Sequence, residues 1–182
     1  DNGPWRNLPP RMLQEGNERW DSGTKGPLRG AKGTTYEGGQ RVPAIIRWPG
    51  RIPAGLRSEQ ISCTLDLFAT VIQAAGADIP ADRKIDGLDL MPFLEGKTDS
   101  PRDEFFFYLS NRLEAVRSGD WKLRVTGRKG ETKGDRVVTA ELFHLGRDPG
   151  ESYDVSDRHP DIVSRLYGRM QAFAAETGAG VE

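Results

Sequence analysis

Two stretches of this 182-residue chain carry side chains suited to handling a small anion. The first is "DNG" at the beginning, where the carboxylate of Asp1 and the amide carbonyl of Asn2 are hard oxygen donors of the kind calcium and magnesium prefer. Two donors do not complete such a site, and Asn-Gly is also a common turn dipeptide, so on its own the turn reading is the stronger one. The second is "GPLRGAKGTTYEGG" at 26–39. Its glycines, Gly26, Gly30, Gly33, Gly38 and Gly39, allow positive φ and close backbone approach, and Arg29 and Lys32 stand near the hydroxyls of Thr34 and Thr35. A loop of this make-up can hold a tetrahedral oxyanion. It is not a Walker loop, because Lys32 is followed by Gly33 rather than by Ser or Thr, and no strand followed by GxGxxG marks a dinucleotide site. The competing reading, turns with Lys32 in solvent, is equally compatible with the pattern alone.

Other reactive residues read as peripheral. His144 follows the strand-like "ELF" and His159 precedes Pro160 at the start of a helix; capping or surface hydrogen bonding is the expectation for both, although histidine is the usual acid or base near neutral pH. Cys63, the sole cysteine, lies in "ISCTLDLF" beside an apolar helix and reads as an ordinary buried thiol. Trp48 and Trp121 read as core residues. Trp5 and Trp20 lie in an irregular segment, where they could wall a sugar or an aromatic leaving group.

These residues need elements to hold them. Residues 1–40 have no apolar period and read as a long loop, which in a compact domain implies a function or a supporting partner. "VPAIIRW" at 42–48 is a continuous apolar, β-branched run closed by Pro49 and Gly50, expected as an inner strand covered on both faces. "TLDLFATVIQAA" at 64–75 puts Leu65, Phe68, Ala69, Ile72 and Ala75 on one helical face, with Asp66 in the first turn and Gly76 as the stop. "DGLDLMPFLEG" at 86–96 reads as a short helix or turn packing Leu88, Leu90, Phe93 and Leu94 inward.

Beyond residue 100 the texture changes. "EFFFYL", "EAVRSGDWKLRV" and "VVTAELFHL" are strand candidates, with a hairpin corner at Gly119 and Asp120. Pro160 then opens a helix whose apolar stripe is Ile162, Leu166, Met170 and Phe173. The expectation is α/β material over 1–100 and, over 101–182, a small α+β domain of antiparallel strands with one packed helix.

Composition narrows the function classes. Lys and Arg number 26 against 27 acids, so no basic excess argues for tracking nucleic-acid phosphates. One cysteine excludes an intrachain disulfide and any cysteine-based metal cluster. No apolar run is long enough to span a bilayer.

The order "DNG … PLRGAKGTTYEGGQRVPAIIRWPGRIPAG … DLFATVIQAAG … DGLDLMPFLEG … EAVRSGDWKLR … ELFHLGRDPGE" resembles the C-terminal part of the type I sulfatase family, the arylsulfatases and related glycosaminoglycan and N-acetylgalactosamine-6-sulfate sulfatases. The joined KGTTYEGG and VPAIIRWPG blocks are its most specific part. The resemblance implies a C-terminal portion of an alkaline-phosphatase-like sulfatase fold, with 1–100 belonging to the catalytic domain. It implies that Asp1 and Asn2 are the last acid–amide pair of a calcium site, with magnesium as the alternative, and that Lys32 contacts the sulfate group. Thr34, Thr35 and Glu37 are then loop-fixing residues, and Arg29 and Arg41 structural or on the pocket wall.

The Cys/Ser-x-Pro-x-Arg motif that is converted to the family's formylglycine nucleophile does not occur in this sequence. The resemblance therefore implies that a missing N-terminal part of the catalytic domain is the partner, that the chain is a piece of a larger hydrolase inactive by itself, and that sulfated small molecules or sulfated carbohydrates are the substrates. It favours a periplasmic, secreted or lysosomal protein. A phosphate or phosphonate ester hydrolase of the same superfamily, and a noncatalytic glycan-binding module built on the C-terminal sheet and the loop 126–137, are the alternatives.

Overall fold

Aromatic and β-branched runs after residue 100 build a sheet, as their period-two patterns require. In the computed structural model, which describes residues 2–6, 8–129 and 136–181, the strands are β1 (Glu104–Leu109), β2 (Arg112–Ser118), β3 (Trp121–Lys129), β4 (Arg136–His144) and the short β5 (Gly180–Val181). They lie in the order β1-β2-β3-β4, with β5 parallel to the start of β2. β2 and β3 pair antiparallel through a corner at Gly119, whose φ is +57°, and β3 and β4 pair antiparallel from Trp121↔His144 to Lys129↔Arg136. The tip of that second hairpin, residues 130–135 of the candidate loop 126–137, lies outside the described residues.

Of the helices, α1 (Glu37–Gln40), α2 (Thr64–Ala74) and α3 (Met91–Leu94) are short to medium, and α4 (Pro160–Thr177) is the longest. Pro160 occupies the first turn of α4, and Gly178 ends it in the left-handed region. Packing divides the chain into Asp1–Pro43 with Phe106–Glu182, and Ala44–Phe105.

In the first unit, one face of the sheet is apolar. Leu113, Val116, Leu123, Val125 and Leu142 pack against Leu166, Met170 and Ala174 of α4. Phe173 stacks on Phe106 with ring centres 3.8 Å apart, and Ile162 packs at the margin, so the expected stripe of α4 is the one used. Alternation along β3 and β4 sends Lys122, Arg124, Glu141 and Phe143 to the opposite face, where the glycine-rich segment lies against them.

In the second unit, Asp66 organises the fold. At the third position of α2 its carboxylate accepts the Cys63 N–H at 2.8 Å, the Leu88 N–H at 3.0 Å and the Arg102 Nε at 3.0 Å. Thr70 donates to the Asp66 carbonyl and accepts the Leu90 N–H at 2.9 Å, and Leu90 and Met91 are buried. Two expectations need correction here. The buried side of α2 is Asp66, Ala69 and Thr70, while Leu65 and Phe68 are exposed, because the capping carboxylate and its arginine set the orientation of the helix. The segment 42–48 is not a strand: its N–H and C=O groups find no ladder among the described residues, Ile45 is 96% exposed, and Trp48 is outside the core. Leu88 is also exposed, although α3 forms as a short helix.

Candidate functional site

Two backbone hydrogen bonds join the chain's opening residues to the glycine-rich loop. Gly3 N–H donates to the Gly39 carbonyl at 3.0 Å, and Lys32 N–H donates to the Pro4 carbonyl at 3.1 Å. Only glycine fits at position 3, since a Cβ there would lie 1.9 Å from the Gly38 oxygen. Asn2 thus belongs to the strip that runs alongside the loop carrying Lys32, although the two are thirty residues apart in sequence. Asp1, the other proposed metal ligand, lies outside the described residues.

The loop is fixed from within and from below. Thr34 Oγ1 donates to the Ala31 carbonyl at 2.8 Å, and Gln40 Nε2 donates to the Thr34 carbonyl at 3.0 Å. Thr35 Oγ1 donates to Glu114 and accepts from Arg124 Nε at 2.9 Å. Tyr36 donates to Glu141 at 2.7 Å while the guanidinium groups of Arg29 and Arg124 each lie about 4 Å from its ring centre. Burial pushes the Tyr36 phenol up, and its hydrogen bond to the Glu141 carboxylate adds to the effect. Thr34 and Thr35 therefore fix the loop, as expected, and Arg29 is structural.

Beneath the loop lies a buried ionic cluster that sequence reading missed. Lys122, fully excluded from solvent, places Nζ 2.9 Å from Glu37 Oε1 and 2.9 Å from Glu151 Oε1, with its ammonium 4.4 Å from the Phe107 ring centre. Glu151 also accepts the Glu37 N–H at 2.7 Å, and its own carbonyl accepts Arg29 NH1 at 2.9 Å. Arg117 approaches the other Glu37 oxygen at 3.7 Å. Burial raises the Glu151 carboxyl above the ordinary range, partly offset by the Lys122 charge. Glu151 adopts φ +52°, a left-handed conformation costly for a non-glycine residue and held here by bonds on its side chain and backbone. The only sequence signal was Lys122 at an alternating position of a strand, which ordinarily means a solvated face.

The loop's rigid underside leaves its rim free. Lys32 is exposed, with Nζ 5.1 Å from the ring centre of Trp5. An exposed ammonium on a fixed backbone can receive an anionic group. Among the described residues no three His, Cys, Asp or Glu side chains gather as a metal site. Asn2, which is exposed, has the oxygen-donor chemistry a hard divalent cation takes, but a calcium ion takes about six to eight oxygens and Asn2 alone does not make such a site.

The expected capping or surface hydrogen bonds of the histidines do not form among the described residues: His159 precedes α4 without a side-chain cap bond, and His144 Nδ1 is buried without a partner, because both rings pack on an indole instead. His144 and His159 flank Trp121, with ring centres 4.6 and 5.0 Å from it. Cys63 is half-buried at the start of α2, and burial pushes its thiol up, away from nucleophilic character.

Known proteins agree with this architecture. The family model described as N-sulphoglucosamine sulphohydrolase, C-terminal, matches residues 31–176. Dog N-acetylgalactosamine-6-sulfatase is 40% identical over 171 residues, covering 79% of this chain and 32% of the relative. Human arylsulfatase A is 36% identical over 181 residues, covering 87% of this chain and 35% of the relative. The crystal structure of PsFucS1 sulfatase from Pseudoalteromonas sp. superimposes with TM-score 0.76 at 24% identity, over 96% of this chain and 35% of that one, which is a likeness of fold. The chain spans about a third of the length of the curated relatives it matches. It belongs to the sulfatase family and corresponds to that family's C-terminal domain.

Proposed function

We propose that the full-length protein carrying this chain hydrolyses sulfate esters of aryl or carbohydrate substrates, and that this chain contributes Lys32, Asn2 and Asp1 to the site. The observation that supports the reading is the pairing of residues 3–4 with the loop at Lys32 and Gly39, which brings the backbone of Lys32 alongside that of Pro4. The names of the relatives, an N-acetylgalactosamine-6-sulfatase and an arylsulfatase, support both substrate classes.

In this reading the Lys32 ammonium pairs with sulfate oxygens, orients the ester and stabilises negative charge that grows as the S–O bond breaks. Asp1 and Asn2 would hold calcium, or magnesium, together with ligands from elsewhere in the protein. Held there, it would supply Lewis-acid polarisation of the sulfate and neutralise the charge on its oxygens. The nucleophile, a formylglycine hydrate, comes from the missing N-terminal part of the catalytic domain, so the isolated chain is inactive. Exposed Ile45, Ile46 and Trp48, and separately the exposed Leu65, Leu67, Phe68 and Val71 on α2, support a larger protein that covers apolar surface.

The test is a panel of nitrophenyl sulfate, 6-sulfated N-acetylgalactosamine and the matching phosphate esters with the full-length protein, before and after chelation and calcium return. We expect sulfate release that chelation abolishes and calcium restores. Faster turnover of the phosphate esters, or no sulfate release from any substrate, would overturn the reading.

A further inference from the structure

The opening segment contains a second feature that the proposed sulfate site does not use. Arg6, Arg19, Trp20, Gly23 and Thr24 line an open cleft of about 570 Å³, within the range of small-ligand sites. A 3-10 turn over Arg19–Ser22 forms one wall, and Gly23, at φ +85°, turns the chain away from it. Within this turn Asp21 is occupied: its carboxylate accepts the Glu18 N–H at 2.7 Å. Thr24 Oγ1 accepts the Gly26 N–H at 3.1 Å, which fixes the far lip.

Two guanidinium groups line this cleft. Arg29, Arg51, Arg102, Arg117 and Arg124 all engage carboxylates, and Arg29 and Arg124 also stack on Tyr36. The side chains of Arg6 and Arg19 make no ion pair, hydrogen bond or ring contact among the described residues, and both are exposed. Trp20, 74% exposed, presents its indole at the same cleft.

We infer that this cleft is a glycan subsite, in which Arg6 and Arg19 bind a sulfate or carboxylate group of an acidic carbohydrate while Trp20 stacks on a sugar ring. Planar guanidinium forks match sulfate and carboxylate oxygens bidentately, and the flat apolar indole matches the C–H face of a pyranose. A single-stranded nucleic acid would also suit arginine and tryptophan, but the chain's net charge of −1 offers no wider cationic track for a phosphate backbone. Arg6, on the cleft wall, directly follows Trp5, whose ring centre lies 5.1 Å from the Lys32 ammonium. This inference rests on the sulfate-ester reading for its substrate, while its binding component can be measured independently.

The experiment compares the full-length protein with Arg6→Ala/Arg19→Ala, Trp20→Ala and Trp20→Phe variants. The substrates are nitrophenyl sulfate, which has no sugar to occupy the cleft, and a chondroitin 6-sulfate hexasaccharide; binding of the hexasaccharide and of its desulfated and carboxyl-reduced forms is titrated in parallel. For the double arginine variant we expect kcat/KM on the hexasaccharide to fall at least about tenfold, through KM, with nitrophenyl sulfate unaffected. Trp20→Ala should behave likewise and Trp20→Phe should restore most of the loss. The modified hexasaccharides identify whether sulfate or carboxylate supplies the anion.

An equal loss on both substrates, or no loss on either, would overturn the subsite. So would tighter binding of a single-stranded oligonucleotide than of the hexasaccharide. If the wild type hydrolyses no sulfate ester yet loses hexasaccharide affinity in the arginine variant, the catalytic reading fails and the subsite stands.

Discussion

The two faces of the C-terminal sheet are built on opposite physical principles. Against α4, Leu113, Leu123, Leu142, Leu166 and Met170 make a dry apolar core, which stabilises in proportion to area and is tolerant of direction. On the reverse face, Lys122, Glu37, Glu151, Arg124, Glu141 and Tyr36 hold residues 29–40 by bonds of defined length and angle. Buried ion pairs give little net stability, because desolvation offsets their attraction, but each partner depends on the others. The difference teaches that the helix face holds the domain together, while the charged face determines where the loop bearing Lys32 sits.

The largest expected effect comes from breaking the charged face. Lys122→Met leaves Glu37 and Glu151 buried without their shared cation and should destabilise by roughly 3–5 kcal/mol. Thermal unfolding would measure it, and amide exchange should show loss of protection spreading from Glu37 through Gly39. An unchanged melt would mean the cluster is dispensable. Next comes Leu166→Ala on the apolar face, expected to cost about 2–5 kcal/mol through a cavity. Here exchange protection of the loop should persist under native conditions; equal loss in both variants would erase the distinction between the faces.

A smaller effect separates two carboxylates by the sign of their pH dependence. Burial alone would raise Asp66, but hydrogen bonds from Arg102 and from the Leu88 and Cys63 N–H groups outweigh it and hold the carboxyl low. A lowered folded-state value means that its stabilisation is present above the ordinary carboxylate range and is lost as pH falls through the lowered value. Glu151 is raised, so its contribution is fullest below the ordinary range and is lost as pH rises through the raised value. Melting curves across pH should therefore show the wild-type advantage over Asp66→Asn shrinking on acidification, and the stability difference relative to Glu151→Gln shifting against the wild type on alkalinisation. Slopes of the same sign would contradict this.

Sequence patterns went furthest where one period dominates. The stripe on α4 and the hairpin at Gly119 were readable because helix and strand periods are local. The segment 42–48 misled because apolar continuity reports that a run needs covering, and Ile45 is not covered by any described residue. On α2, hydrophobicity was outvoted by Asp66, whose four hydrogen bonds determine which side turns inward. Lys122 was invisible because its partners, Glu37 and Glu151, lie 85 residues before it and 29 after it, and a lone strand lysine carries no sign of burial. Lys32 and the DNG strip were found as types, but the hydrogen bonds that bring residues 3–4 to the loop required coordinates.

The most direct test of the central claim is Lys32→Ala in the full-length protein, assayed on nitrophenyl sulfate with the melting temperature measured alongside. Loss of a fixed cation at a developing anion should lower kcat/KM by about a hundredfold or more, and because Lys32 is exposed the melting temperature should not move. Activity within about twofold of the wild type at an unchanged melting temperature would contradict the assignment of Lys32 to the sulfate.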